Sequence, residues 1–148
     1  MDPGFRVAKD DPDMLAAIKK ARKTFPDFLL EADADSCRAI RVLEDAMLKL
    51  YITSPYDPKT GEHLWARYSG HDPENEKRFK AILLRSPRGA AAFMSKGDEI
   101  DFSIRSLSNW LYVEDSKAYG AFTVQVLRRR MTRAQRKKHD AAYPFAFE

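Results

Sequence analysis

Glu62 and His63 adjoin in the stretch GEHLW and are the pair best suited to general acid–base chemistry, since imidazole titrates near neutrality and a carboxylate can orient it. The flanking pattern reads as a strand, however, and neighbours on a strand point to opposite faces. Only a bulge or turn at Gly61 would let both serve one centre. Hydrogen bonding or hairpin registration is therefore the expectation, and a small enzyme using His63 is the second alternative. A metal site from His63, His71 and Asp72 has no ligand spacing with a geometric reason behind it. Cys37 is the only cysteine, which excludes an intrachain disulfide and a thiolate zinc cluster and suits a reducing compartment. Arg38 and Arg41 lie near it in sequence, yet lone cysteines usually serve as packing residues. Neither a phosphate-binding glycine loop nor a G-x-S-x-G elbow occurs. No catalytic residue, metal ligand or cofactor is assigned.

A second chemistry is stacking. Trp65, Tyr68, Trp110, Tyr112 and Tyr119 could face single-stranded nucleic acid, helped by the basic run RRRMTRAQRKK. That run, residues 128–138, holds Arg128, Arg129, Arg130, Arg133, Arg136, Lys137 and Lys138 with no acid. Set those seven aside and the 26 bases fall to 19 against 22 acids, a net of −3. The body is slightly acidic and the net +4 resides in one segment, which disfavours a general DNA-coating surface. Aromatic residues on a small sheet more often pack against the helix that covers it.

The elements that position these residues follow from periodicity. Asp11 and Pro12 open a helix over about 12–24, which Pro26 is expected to interrupt before a short turn at DFLLEA. Residues 36–47 read as a further helix, with a strand as the other option. LKLYIT and HLWARY alternate and should form a hairpin across SPYDPKTGE. After the polar loop GHDPENEK, RFKAILL has the doubly apolar character of a central strand. Gly97 and Asp98 suit a turn, and EIDFSIR alternates cleanly. LSNWLYV re-enters the sheet, SKAYG reverses it, and AFTVQVL reads as a strand with Phe122, Val124 and Val126 inward. Trp110 is expected to act as a corner post. A basic helical segment is expected over about 128–140, with Thr132 capping the helix formers of TRAQRKKHDAA, before the aromatic tail YPFAFE.

Taken in order, DDPDMLAAIKKARKTFPDFL, GEHLW, GDEIDF, SNWLYV and KAYGAFTVQVLRRRM resemble the YegJ-like bacterial family of unknown function. The likeness covers nearly the whole chain and is weakest over residues 33–47. Its most specific pieces are Glu62, His63, Trp65, Gly97, Asp98, Trp110, Tyr112 and Gly120. Members of that family usually carry an acid before the tryptophan where Asn109 stands, and commonly a glycine at the position of Ala81. The resemblance implies an α+β fold and brings no catalytic chemistry.

The expected architecture is one α+β domain over residues 1–148. N-terminal helices pack on a strongly bent antiparallel sheet of about five or six strands, with a small barrel as a variant and a C-terminal helix. No run of about 18 apolar residues occurs and the N-terminus lacks a secretory pattern, so a cytoplasmic location is expected and no membrane partner. The favoured function is a non-enzymatic protein-binding module, in its sharper form an immunity or antitoxin-type protein, whose partner carries an acidic surface. An RNA-binding domain is the alternative. The candidate binding set is Glu62, His63, Trp65, Asn109 and Trp110 with the seven basic residues of 128–138.

Overall fold

The computed structural model describes residues 10–89 and 91–147, so the N-terminal reading at residues 1–9 lies outside the described residues. Helix α1 (Pro12–Ser36) starts where the sequence places it, with Asp11 Oδ1 accepting from the N–H groups of Asp13 and Met14 at 3.1 and 3.0 Å. The interruption at Pro26 does not occur, and the helix runs for 25 residues. Pro26 and Arg22, whose carbonyl loses its helical donor, are both exposed, so water can replace the missing bond. Ala17, Ala21, Phe25, Phe28 and Ala32 form one buried stripe on both sides of the proline. That packing outweighs a cost of about 3 kcal/mol.

Residues 37–44 are an irregular link rather than the expected helix. Asp35 is the reason. Its Oδ1 accepts from the Val42 and Leu43 N–H groups at 2.7 and 3.1 Å and from Arg38 at 3.0 Å, drawing the chain into a turn around a side chain only 5% exposed. Burial by itself would raise this carboxyl, but those bonds outweigh it and hold the group below the usual range.

Among the described residues seven strands follow: β1 (Asp45–Thr53), β2 (Gly61–Asp72), β3 (Asn75–Leu83), β4 (Glu99–Phe102), β5 (Leu107–Glu114), β6 (Lys117–Gly120) and β7 (Ala146–Phe147). They form one sheet in the order β4-β3-β2-β1-β5-β6-β7. All pairs are antiparallel except β6–β7, which is parallel. The fold is α+β as expected, but the sheet is mixed, has seven strands rather than five or six, and is open, which sets aside the barrel variant. Register shifts at Lys49/Leu50, Tyr68/Gly70 and His71/Asp72 interrupt the ladders, as at the bulges that bend strands. The β1–β2 hairpin is the one expected, whereas most of GHDPENEK belongs to strands. Gly97, at φ 90°, forms a bulge with Asp98: its N–H donates to the Leu83 carbonyl at 2.9 Å, and Leu83 N–H donates to that of Asp98 at 3.0 Å.

The largest departure is AFTVQVL, which is helix α2 (Phe122–Arg130) rather than a strand. Gly120 and Ala121 have φ of 83° and 54°, which end the sheet before the valines. The basic segment is likewise two elements, since α2 stops at Arg130 and α3 (Arg133–Ala141) starts behind Thr132 with a complete capping box to Gln135. One sheet face packs the α1 stripe against Leu48, Leu50, Leu64, Ala66, Phe79 and Trp110. A second core joins Met47, Trp65, Leu111, Val113 and Ala118 to Val124 of α2 and Phe147 of the tail.

Candidate functional site

Strand alternation separates Glu62 from His63. Glu62 turns to the loop after β3, where its carboxylate accepts from the N–H groups of Arg88, Gly89 and Ala91 at 2.9, 2.9 and 3.3 Å. Burial would raise this carboxyl, but the three N–H groups dominate and hold it below the usual range. His63 points the other way. Its Nδ1 lies 3.2 Å from Ser108 Oγ, and its ring lies 4.8 Å from that of Tyr51, directly across the β1–β2 ladder. Gly61 supplies no bulge that reunites the pair. A side chain there would collide with the Tyr51 ring, so the glycine makes room for an aromatic residue.

Ser108 and His63 stand in the geometry of a hydroxyl nucleophile and its base. Ser108 is 4% exposed, which closes its hydroxyl to a substrate. Sequence reasoning missed Ser108 because 45 residues separate it from His63. On the same face Lys49 lies over the Trp65 ring at 6.0 Å, and Trp65 is 4% exposed with an indole N–H that has no hydrogen-bond partner among the described residues. A second cluster that sequence spacing did not reveal joins α1 to β2. Asp33 accepts from the Tyr68 hydroxyl at 2.9 Å and lies 2.9 Å from His71 Nε2. Burial, then the bond to Asp33, pushes the Tyr68 phenol far above its ordinary value, so it serves as a fixed donor. Among the described residues no three His, Cys, Asp or Glu side chains are grouped to hold a metal ion.

The aromatic set divides between the faces. Trp110, Tyr112 and Tyr119 stack in a row, at 5.9 and 5.0 Å between ring centres, while Trp65 belongs to the second core. Burial and then the charges of Glu31 and Glu114 push the Tyr112 phenol upward, so the stacked row sits in negative surroundings. Trp110 is 5% exposed and its indole N–H donates to the Ala21 carbonyl at 3.0 Å, which ties β5 to α1. Asn109 is fully buried. Its Oδ1 accepts from Phe122 N–H at 2.9 Å and its Nδ2 donates to Thr123 Oγ1 at 2.8 Å, so it caps α2 from a neighbouring strand where Ala121 offers no side-chain cap.

The basic segment also divides. Arg128 is 13% exposed and binds Asp140 through two bonds of 3.0 and 2.7 Å, with its guanidinium over Phe147. Arg130 donates to Asp11 and Asp13, and Arg136 donates to the Arg128 carbonyl. Arg129, Arg133, Lys137 and Lys138 are exposed, and no ion pair of theirs is found among the described residues. Three cations lock the two helices in place, and four form an outward ridge. Leu30 and Ile40 are exposed as well, at 72% and 84%. Among the described residues no helix is long and apolar enough to cross a membrane.

Residues 11–147 match the family described as an uncharacterized protein conserved in bacteria (DUF2314), and the chain belongs to it. It is also similar to a protein of Neisseria meningitidis serogroup B (strain ATCC BAA-335 / MC58) named "Putative ankyrin repeat protein NMB1133/NMB1171". The two are 28% identical over 144 residues, covering 97% of this chain and 55% of that protein. The chain thus spans about half the length of that relative. No solved structure matches.

Proposed function

We propose that this member of the DUF2314 family is a non-enzymatic protein-binding module. It works as one domain in the cytoplasm and engages an acidic partner surface through the α2–α3 end. The observation that carries the reading is the division of the basic segment. Arg128, Arg130 and Arg136 are spent on holding the helices, which leaves Arg129, Arg133, Lys137 and Lys138 fixed outward on a rigid support. A preorganised ridge steers an oppositely charged partner at little ordering cost. Ankyrin repeats are helical pairs stacked into arrays, and the relative's name lends support to an interaction role. The narrower form is an immunity or antitoxin-type protein that covers an acidic toxin surface, and the YegJ-like grouping is the finer family assignment. The RNA-binding alternative has less support because the stacked aromatic row lies beside acids, and a His63 enzyme has less support because the hydroxyl beside His63, that of Ser108, is buried.

The test is capture of a partner from native bacterial lysate, followed by kinetics with that protein purified. Replacing Arg129, Arg133, Lys137 and Lys138 by Gln should slow association on the order of tenfold at low salt and alter dissociation little. A partner whose association ignores both salt and the quadruple change sinks the reading. Nanomolar binding of a defined single-stranded RNA, abolished by Tyr119→Ala without unfolding, replaces it with the RNA alternative.

A further inference from the structure

Among the described residues, strand β4 at the sheet edge opposite β7 pairs with β3 alone. The bond from Leu83 N–H to the Asp98 carbonyl fixes the alternation along this antiparallel pair. Ile100 and Phe102 turn their main-chain groups toward β3, and Glu99 and Asp101 turn theirs outward. A cleft of about 520 Å³ lies here, within the size range of binding sites, and all four residues of β4 border it. Successive strand residues point to opposite faces, so a cleft touching all four runs along the strand's outer edge. Its lining also includes Tyr51 and Ile52 at the end of β1, with Phe93, Met94 and Arg105. Phe93 is 56% exposed, a large apolar ring held at the mouth.

We propose that this edge cleft receives an extended peptide from a partner protein, which adds as a strand beside β4 and alternates basic with apolar residues. The main-chain groups of Glu99 and Asp101 supply the ladder, as in other strand-addition complexes. The guest's apolar side chains lie on the face of Ile100 and Phe102, both buried in the first core, and meet Phe93 and Met94. Its basic side chains fall on the other face, across from Glu99 and Asp101. Those acids are only loosely engaged by the chain itself. Lys80 stands 3.7 Å from Glu99 and Arg78 stands 3.9 Å from Asp101, on side chains about half exposed. Such pairs are worth little in water.

Charges on an edge strand also guard it against promiscuous pairing, and here the guard selects. A second copy of the chain joining β4 to β4 antiparallel brings Glu99 opposite Asp101, a like-charge contact that disfavours self-association. A guest with lysine or arginine at alternate positions meets no such barrier. This surface stands on observations separate from the α2–α3 ridge and does not depend on it.

The probe is the acetylated, amidated hexapeptide KVKVKV, titrated into the ¹⁵N-labelled full chain, with EVEVEV and the proline-interrupted KVPVKV as comparisons. Shifts should concentrate at Glu99, Asp101, Ser103, Phe93 and Met94, with EVEVEV about tenfold weaker or silent and KVPVKV silent. Asp101→Pro removes an outward N–H and leaves the bonds to β3 in place, so it should abolish binding while the β3 amides keep their positions. Should that proline unfold the edge, the double change Glu99→Lys with Asp101→Lys provides the second arm, and it should exchange the preference from KVKVKV to EVEVEV. The proposal is overturned if KVKVKV produces no shifts or shifts located away from β4. It is equally overturned if the double reversal leaves the preference unchanged, or if sedimentation reports a dimer whose exchange-protected amides are those of β4.

Discussion

Glu62 illustrates how one side chain can be chosen for its charge without doing chemistry. Its carboxylate collects three main-chain N–H groups of the loop after β3, and a neutral amide at that position accepts less strongly. Glu62→Gln should cost about 1–3 kcal/mol in denaturant unfolding, and a loss below about 0.5 kcal/mol would show that the loop is held by other contacts. The same carboxyl gives a pH dependence with a definite sign. Its folded value lies below the unfolded one, near 4.3, so its contribution is fully present above that value and is lost as pH falls through the folded value. The stability gap between wild type and Glu62→Gln should therefore narrow as pH falls below the unfolded value. A gap that does not narrow on acidification contradicts the assignment. This residue's role was partly legible in the sequence: alternation already separated Glu62 from His63, whereas the loop that Glu62 holds lies about 27 residues further on and left no local trace.

At the scale of elements, the α1 start, the first hairpin, the Gly97 turn and the α3 cap were legible because their signals are local. The errors share one cause, a side chain acting from elsewhere. Asp35 gathers residues 37–44 into a link, and Asn109 caps α2, whose valine alternation otherwise suits a strand. Pro26 was misjudged because helix-breaking is a local cost, and the buried stripe that outweighs it is tertiary. A carboxylate at position 109 would accept from the same N–H groups and lie favourably at a helix N-terminus. Asn109→Ala should then destabilise by about 2–4 kcal/mol, since buried partners are left unpaired, and Asn109→Asp should cost clearly less. Equal losses for the two changes would remove the capping role. Gly120 is constrained from two sides, by φ of 83° and by Trp110, whose ring and carbonyl stand 2.5–2.6 Å from any added Cβ. Gly120→Ala should cost about 2 kcal/mol or more, and Trp110→Ala about 3–5 kcal/mol. Trp110→Ala costing less than about 1 kcal/mol would take the indole out of the core that joins β5 to α1.

Across the whole molecule one sheet serves two cores, and the second is closed by the segment furthest along the chain. Phe147 packs with Met47, Trp65, Leu111 and Val113, and its ring meets Tyr143, His139 and the Arg128 guanidinium. Arg128 in turn is fixed by Asp140, whose carboxyl burial would raise but Arg128 and His139 hold below its ordinary value. The basic ridge therefore rests on the same assembly that covers the sheet, and outward charge is separable from inward support. Gln at Arg129, Arg133, Lys137 and Lys138 should leave stability within about 0.5 kcal/mol, as at surface sites free of specific contacts. Phe147→Ala should instead cost about 3–5 kcal/mol, the usual loss for a buried aromatic residue. Because Trp65 and Trp110 are the chain's two tryptophans, a Trp110→Phe background isolates Trp65 as a reporter of the second core alone. In that background Phe147→Ala should shift the emission to the red as water reaches the indole, while the quadruple Gln change leaves it in place. An unmoved emission together with a loss below about 1 kcal/mol would mean that the tail lies on the sheet without closing it, and the ridge would then lose its rigid support.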